Sequence, residues 1–306
     1  MSESITRMLV TGASGFVGAH VRDAARGGAF GAVEFVETPR GLDLRDALAV
    51  REVVEQVRPA SVIHLAAQSH VPRSFEDPAE TMAVNVAGTA NLLGALLDSG
   101  FSGRLLYVSS GDIYGAVPEE ALPVDESRTP EPRNPYAVSK WAAEQLCLMW
   151  HRTRGLDVRI ARPFNHVGPG QDTRFVLPAL ARQIVDIAAG KSEPRIVVGD
   201  IDVTRDFTDV RDVVLAYAAI LARGSSGATY VVASGQERRV RDMLSAMCRI
   251  AGIQPTIEQD AGKLRPAEQR RMVASSAKLR TETGWMPSIP MEQTLQEILD
   301  NARTYS

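Results

Sequence analysis

Cysteine is scarce in this 306-residue chain: Cys147 and Cys248 are its only two. Two thiols make neither a disulfide framework nor a zinc site, so no metal is expected and a reducing cytoplasm is the expected compartment. An excess of basic charge is missing as well. The 34 Lys and Arg face 37 Asp and Glu, for a formal charge of -3, and no bulk positive field draws nucleic acid. No apolar run is long enough to cross a membrane. Residues 1–7 are polar, without the layout of a signal peptide. Internal repeats and low-complexity tracts are absent. What remains is an ordinary globular composition, 44% hydrophobic and 23% charged, long enough for one big domain or two coupled ones.

Met8, Leu9 and Val10 read as a short buried strand. It runs into Thr11-Gly12-Ala13-Ser14-Gly15-Phe16-Val17-Gly18, followed by Val17, Val21 and Ala25 at helical spacing. Strand, glycine turn and helix are the context in which a dinucleotide fingerprint has meaning. Gly12 permits the tight turn, Gly15 lets the backbone approach a pyrophosphate, and Gly18 lets the helix lie close on the strand. The spacing is G-x-x-G-x-x-G, not G-x-G-x-x-G. A second strand is expected over residues 33–36, and its end selects the cofactor. An acid there holds ribose hydroxyls and an arginine a 2′-phosphate; the chain offers Glu37 and Arg40. Asp43, before Leu44, is placed for the adenine edge. Further strands are expected at 61–65, 105–108, 158–161 and 230–233. Helices are expected at 46–57 and 176–189 and from Asn85, Tyr136 and the run after Arg211. This alternation implies a doubly wound, right-handed parallel sheet covered on both faces. His64 reads as a satisfied core histidine, and Ala66-Ala67 as small residues against which a dinucleotide lies.

The run Asn134-Pro135-Tyr136-Ala137-Val138-Ser139-Lys140 carries the chemistry. Proline suits a first helical turn, and Tyr136 and Lys140 then share one face a turn apart. A free tyrosine has a pKa of about 10, and a nearby ammonium favours its phenolate. On this reading Lys140 draws the Tyr136 pKa down, and reaching about 7 takes roughly 4 kcal/mol. Ser109 and Ser110 close the strand at 105–108, at the carboxyl end where parallel sheets bind ligands.

Taken in order, these motifs, with Asn85-Val86-x-Gly88-Thr89, Arg162-Pro163 and Gly284-Trp285, resemble the extended branch of the short-chain dehydrogenase/reductase family over nearly the whole chain. The resemblance implies a Rossmann domain, residues 1–162 and 206–234, interleaved with a smaller α/β nucleotide-sugar-binding domain, residues 163–205 and 235–306. It places the dinucleotide on Gly12, Ser14, Gly15, Phe16, Val17, Arg40, Asp43, Leu44, Leu65, Ala66 and Ala67. NADPH is the expected cofactor, with NADH usable. Tyr136 becomes the proton donor to a ketone, Lys140 a partner of the nicotinamide ribose, and Ser110 the hydroxyl that orients the ketone. A homodimer through the helices opening at Asn85 and Tyr136 is implied as well.

Within that branch, Arg162-Pro163-Phe164-Asn165-His166-Val167-Gly168-Pro169-Gly170-Gln171, Val198-Gly199-Asp200, Arg205-Asp206-Phe207-Thr208-Asp209-Val210 and Leu264-Arg265-Pro266-Ala267-Glu268 look most like the GDP-4-dehydro-6-deoxy-D-mannose reductases. Those enzymes make GDP-D-rhamnose, a deoxysugar donor for surface polysaccharide such as lipopolysaccharide. Asn165 is then expected on the sugar or first phosphate, Arg205 and Arg265 on the diphosphate, and Glu268 on ribose hydroxyls. His166 is either a structural hydrogen bond or a ligand contact. Arg238, Arg239, Arg270 and Arg271 read as a solvated face by default, with added phosphate attraction near the cleft as the alternative. Asp112 stands where the related GDP-mannose 4,6-dehydratases carry a catalytic glutamate. It is a candidate catalytic residue with a reach about 1.5 Å shorter, one carbon–carbon bond. GDP-fucose synthases carry a cysteine at the position of Asp112 and a histidine at that of Phe175. Reduction without dehydration or epimerisation is therefore expected. The other readings are a GDP-mannose 4,6-dehydratase, another nucleotide-sugar 4-reductase or 4-epimerase, including one acting on UDP-sugars, and GDP-6-deoxy-D-talose as product. A non-catalytic nucleotide-sensing regulator would be expected to lose the Tyr–Lys pair, which is intact.

Overall fold

The structure is a computed structural model that describes residues 6–260, 262 and 269–304. In chain order it runs β1 (Thr6–Thr11), α1 (Phe16–Arg26), β2 (Val33–Glu37), α2 (Ala47–Val57), β3 (Ser61–His64), α3 (Val71–Glu76), α4 (Pro78–Met82), α5 (Gly88–Asp98), β4 (Arg104–Val108), α6 (Pro135–Arg154), β5 (Asp157–Pro163), β6 (Asn165–Val167), α7 (Val176–Ala188), β7 (Arg195–Val198), β8 (Thr204–Asp209), α8 (Val210–Arg223), β9 (Thr229–Val232), β10 (Glu237–Arg239), α9 (Val240–Ala251), β11 (Thr256–Gln259), α10 (Ala277–Thr283) and α11 (Met291–Thr304).

The six-stranded sheet has the order β2-β1-β3-β4-β5-β9 and is parallel throughout. Its strands read as near-continuous apolar runs because both faces are covered. Alternation sends Met8, Val10, Ile63, Leu106 and Val108 into a core with α1, α8 and α10. Leu9, Val62, Leu105 and Tyr107 go into a core with α2, α5 and α6 on the other face. Strand order reverses between β1 and β3, which opens a crevice beyond the carboxyl ends of the strands.

A separate core gathers α7, α9 and α11 over β7 and β8. Beside it lie a three-stranded sheet, β10-β8-β6, and the parallel pair β11-β7. The sequence does not announce these short strands, and their polar content explains why. β8 turns Arg205 and Phe207 toward the cleft, while Asp206 is fully buried. The Asp206 carboxylate accepts from Ser234 N and Oγ, Gly235 N and Ala274 N. Asp209 accepts from Arg211 and Thr294, and Asp212 from Ser288 and Ile289. The acids of the 205–212 run thus clasp three later segments of chain.

Two features differ from expectation. The helix from Asn85 is preceded and wound by a π-helical turn, Ala83–Ala87, before α5 begins. Leu279 of α10, with Trp285, is buried in the main-sheet core against α8 and β9, although these residues fall within the smaller unit of the sequence-based division. Trp285 Nε1 donates to Asp212 O at 2.9 Å, which fixes α10 there.

Candidate active site

A cleft of about 1200 Å³ opens at the carboxyl ends of the main strands and extends to β6 and β8. Its floor at one end is the glycine turn. Gly12 has φ +72°, and a Cβ added there would lie 2.7 Å from Ala66 N. A Cβ on Gly18 would lie 2.5 Å from Ala13 Cα, whereas one on Gly15 would meet only Gly12 O, at 3.3 Å. Gly12 and Gly18 therefore let backbones touch, and Gly15, the N-cap of α1, leaves room for a ligand. The first amides of α1 face that room, as an anionic phosphate requires. The cradle fits a dinucleotide.

Two of the three cofactor-selecting groups are already engaged. Glu37 pairs with Arg22 at 2.5 Å. Asp43 lines the cleft but receives a forked bond from Arg45 at 2.7–3.0 Å, which holds its carboxyl down at about 2. Arg40 is exposed in the turn after β2, outside the residues that line the cleft.

At the other end lie Ser110, Asp112, Tyr136 and Lys140. Asn134 caps α6 by accepting from Ala137 N at 2.7 Å, and Pro135 opens the first turn. Asn85, buried in the π-helical turn, donates to Gln68 O at 3.0 Å and to Ser139 Oγ at 2.8 Å, and accepts from Gln68 N at 2.7 Å. Ser139 in turn donates to Tyr136 O at 2.7 Å, so Asn85 ties the cleft wall to the turn that carries Tyr136. π-Bulges often mark functional sites. One turn beyond Lys140, buried Glu144 receives a fork from Arg162 at 2.5 and 3.1 Å. Arg162 also donates to Tyr114 at 2.8 Å. This pair joins α6, β5 and the turn that follows β4.

The Tyr136 hydroxyl lies beside that of Ser110 in the cleft wall, and the Ser110 oxygen accepts from Asp112 N at 3.2 Å. Burial pushes the Tyr136 pKa up, the charge of Asp112 pushes it further, and the neighbouring Ser110 hydroxyl opposes both. The expectation that Lys140 draws it down is corrected here: in this environment desolvation outweighs any pull from the ammonium. Lys140 is only 4% exposed. Burial lowers its pKa to about 8, against opposing charges on Cys147 and Glu144. Its ammonium lies 4.8 Å from the Tyr107 ring centre. Asp112 is open to the cleft yet crowded by protein, which raises its pKa, with Arg205 opposing.

His64 is a satisfied core histidine, as expected. It bonds Thr11 Oγ1 at 2.6 Å and Thr89 Oγ1 at 2.9 Å, and burial lowers its pKa to about 3. Thr89 donates to Asn85 O, so the bond to Thr89 assigns the proton to Nε2. His166 bonds Phe164 O at 3.1 Å and stacks on Phe16, the structural alternative for this residue, while also lining the cleft.

Asn165 and Arg205 line the end of the cleft that reaches β6 and β8. Arg265 and Glu268 lie outside the described residues. The solvated reading holds for Arg239, Arg270 and Arg271, which are exposed, Arg270 beside Asp200 and Arg271 beside Glu119 and Glu237; Arg238 departs from it and is half-buried. Gly12, Ser14, Gly15, Phe16, Val17, Leu44, Leu65, Ala66 and Ala67 all come together in the cleft wall. Sequence reasoning passed over Gln68, His70, Gln171, Arg174, Tyr217 and Gln269, which line it too. Gln171 ended a recognised glycine–proline loop and was a visible signal; Tyr217, inside an apolar helix, had none.

A family model described as GDP-mannose 4,6 dehydratase matches residues 33–298. GDP-6-deoxy-D-mannose reductase of Pseudomonas aeruginosa is 48% identical over 295 residues, 96% of each chain. A dTDP-glucose 4,6-dehydratase of Xanthomonas campestris is 31% identical over 84% of this chain and 76% of its own. Among solved structures, RMD from Pseudomonas aeruginosa complexed with NADPH has a TM-score of 0.91 at 46% identity, covering 98% of this chain and 100% of that one. The UDP-glucose 4-epimerase of Thermus thermophilus in complex with NAD has a TM-score of 0.83 at 30% identity, covering 98% and 100%. On the strength of the glycine cradle, the Ser–Tyr–Lys cluster and these matches, the chain belongs to the GDP-mannose 4,6-dehydratase family of extended short-chain dehydrogenases/reductases.

Proposed function

We propose that this enzyme reduces the 4-keto group of GDP-4-dehydro-6-deoxy-D-mannose to give GDP-D-rhamnose, with NADPH as reductant. The observation that carries the reading is the Ser110–Tyr136 hydroxyl pair held beside Lys140 at the head of a dinucleotide cradle. The reductase from Pseudomonas aeruginosa, at 48% identity, supports the substrate. When bound, the reduced nicotinamide supplies the hydride. Tyr136 holds its proton for the ketone oxygen, and Ser110 orients that oxygen and supports the developing alkoxide. Lys140 holds the nicotinamide ribose, and its charge favours the phenolate left after proton transfer. Arg205 and Arg265 hold the diphosphate, where forked guanidinium donors suit phosphate oxygens; Asn165 contacts the sugar and Glu268 the ribose. Arg40, exposed and without a hydrogen bond or ion pair among the described residues, meets the 2′-phosphate; NADH remains usable. Two units divide the work, one on the six-stranded sheet and one on the core of α7, α9 and α11, and two copies meet through α5 and α6. The setting is a cytoplasmic route to deoxysugar donors for surface polysaccharide, lipopolysaccharide included.

The test is incubation with the keto sugar and NADPH in D₂O, with the product read by NMR. Stoichiometric reduction at C4 without deuterium at C3 or C5 is expected. A second reading, dehydration of GDP-mannose, is favoured by Asp112 standing beside Tyr136. Conversion of GDP-mannose itself in a parallel arm would establish it in place of the first.

A further inference from the structure

Tyr217 is a buried hydroxyl that the chemistry above leaves unused. Its side chain is 0% exposed, its hydroxyl has no hydrogen-bond partner among the described residues, and it lines the cleft. A buried hydroxyl is costly to leave unpaired, so its partner is to be sought on the cleft side. Local geometry points the same way. β8, whose Arg205 and Phe207 line the cleft, runs directly into α8 at Asp209. Helical side chains lean toward the N-terminus of their helix, so the Tyr217 ring reaches from α8 toward the cleft floor. It lies close enough to Tyr136 for a charge there to be felt. Ser109 Oγ, at the end of β4, is likewise buried and unpartnered in the same wall.

A dinucleotide that lies along Gly12, Gly15 and Lys140 brings its nicotinamide to this end. The ring is apolar except for its carboxamide, and Val108, Pro163, Phe164 and Leu177 offer it apolar walls. The carboxamide carbonyl needs a donor, and a phenol supplies one. We propose that the Tyr217 hydroxyl donates to the carboxamide carbonyl of the nicotinamide and so fixes how the ring lies against the Ser110–Tyr136 pair. This rests on the dinucleotide reading given above.

The test is calorimetric titration of the folded protein and of Tyr217→Phe with three probes. These are NADPH, its thionicotinamide analogue, in which a poor sulfur acceptor replaces the carbonyl oxygen, and 2′-phospho-ADP-ribose, which has no nicotinamide. The wild-type protein is expected to prefer NADPH to the thio analogue by about fivefold to tenfold, the size of one neutral hydrogen bond. In Tyr217→Phe that preference collapses toward one, while 2′-phospho-ADP-ribose binds as before. Equal wild-type affinity for NADPH and the thio analogue would overturn the proposal without need of the variant, as would a preference that survives in Tyr217→Phe. Failure of all three probes to bind the wild-type protein would remove the dinucleotide reading, and the proposal with it. Binding of 2′-phospho-ADP-ribose with no discrimination at the nicotinamide end removes the proposal alone.

Discussion

Tyr136 keeps its proton in this cleft. Burial and the carboxylate of Asp112 both oppose a phenolate, so the hydroxyl is protonated at neutral pH and stands ready as an acid. Tyr136→Phe is expected to bind NADPH normally and to lose about 10²–10⁴-fold in kcat, the usual general-acid contribution; near-normal turnover would remove the role. Lys140 makes the opposite demand, since its charge is held against desolvation. Its folded pKa of about 8 lies below the ordinary 10.5. Between those values the unfolded chain binds more protons, so the stability contribution rises with pH across that window, and the penalty is full below 8. At 1.36 kcal/mol per pH unit the penalty is at most about 3 kcal/mol. Lys140→Met is therefore expected to melt higher than wild type at pH 7, with the gain fading as pH approaches 10.5, while losing cofactor affinity and turnover. Thermal melts across pH decide it, and a variant that melts lower at neutral pH would count against the buried charge. Tyr136 and Lys140 were legible from their spacing because a helix fixes that geometry. Tyr217 was not, because a tyrosine on the apolar face of a helix looks the same whether its hydroxyl ends in core or in cleft.

At the scale of elements, the first turn of α6 depends on one side chain before it. Asn134 satisfies the amide of Ala137 and so sets where Tyr136 begins its turn. Asn134→Ala is expected to cost about 1 kcal/mol, an ordinary N-cap loss, and to lower kcat, with Asn134→Ser restoring most of both; denaturant unfolding and steady-state kinetics read the two effects. The glycine turn is stricter. Gly12 combines φ +72° with a 2.7 Å approach to Ala66 N, so Gly12→Ala is expected to abolish NADPH binding in a titration. These elements were readable because glycine, proline and cap residues state their backbone needs locally. The small strands were not. β6 and β10 have three residues each, too few for an alternation to emerge, and β8 buries an aspartate. That aspartate is tolerable only because its partners, Ser234, Gly235 and Ala274, return from far along the chain. A local pattern carries no trace of partners so distant. The likeness of whole motifs to a known family supplied what periodicity could not.

Across the whole molecule, α6 leaves Val138 exposed, with Trp141, Leu146 and Trp150 only partly covered. The proposed two-fold pairing through α5 and α6 buries this surface, with each copy offering the same patch. Light scattering is expected to report a dimer at micromolar concentration, and Trp141→Glu to shift it toward monomer; a wild-type monomer would end the proposal. The interleaving of the two cores bears on a different moment in the life of the chain. The face of the main sheet formed by Met8, Val10, Ile63 and Leu106 is covered by α8 and α10, which come from residues 210–223 and 277–283. During synthesis the strands β1 to β5 leave the ribosome long before α8. Until residue 223 has emerged, that apolar face has α1 alone to cover it and stands partly bare, and the edge beside β5 waits for β9. Nascent chains halted just after β5 should therefore bind holdase chaperones strongly. Chains halted beyond α8 and β9 should release them, before the last helices have been made.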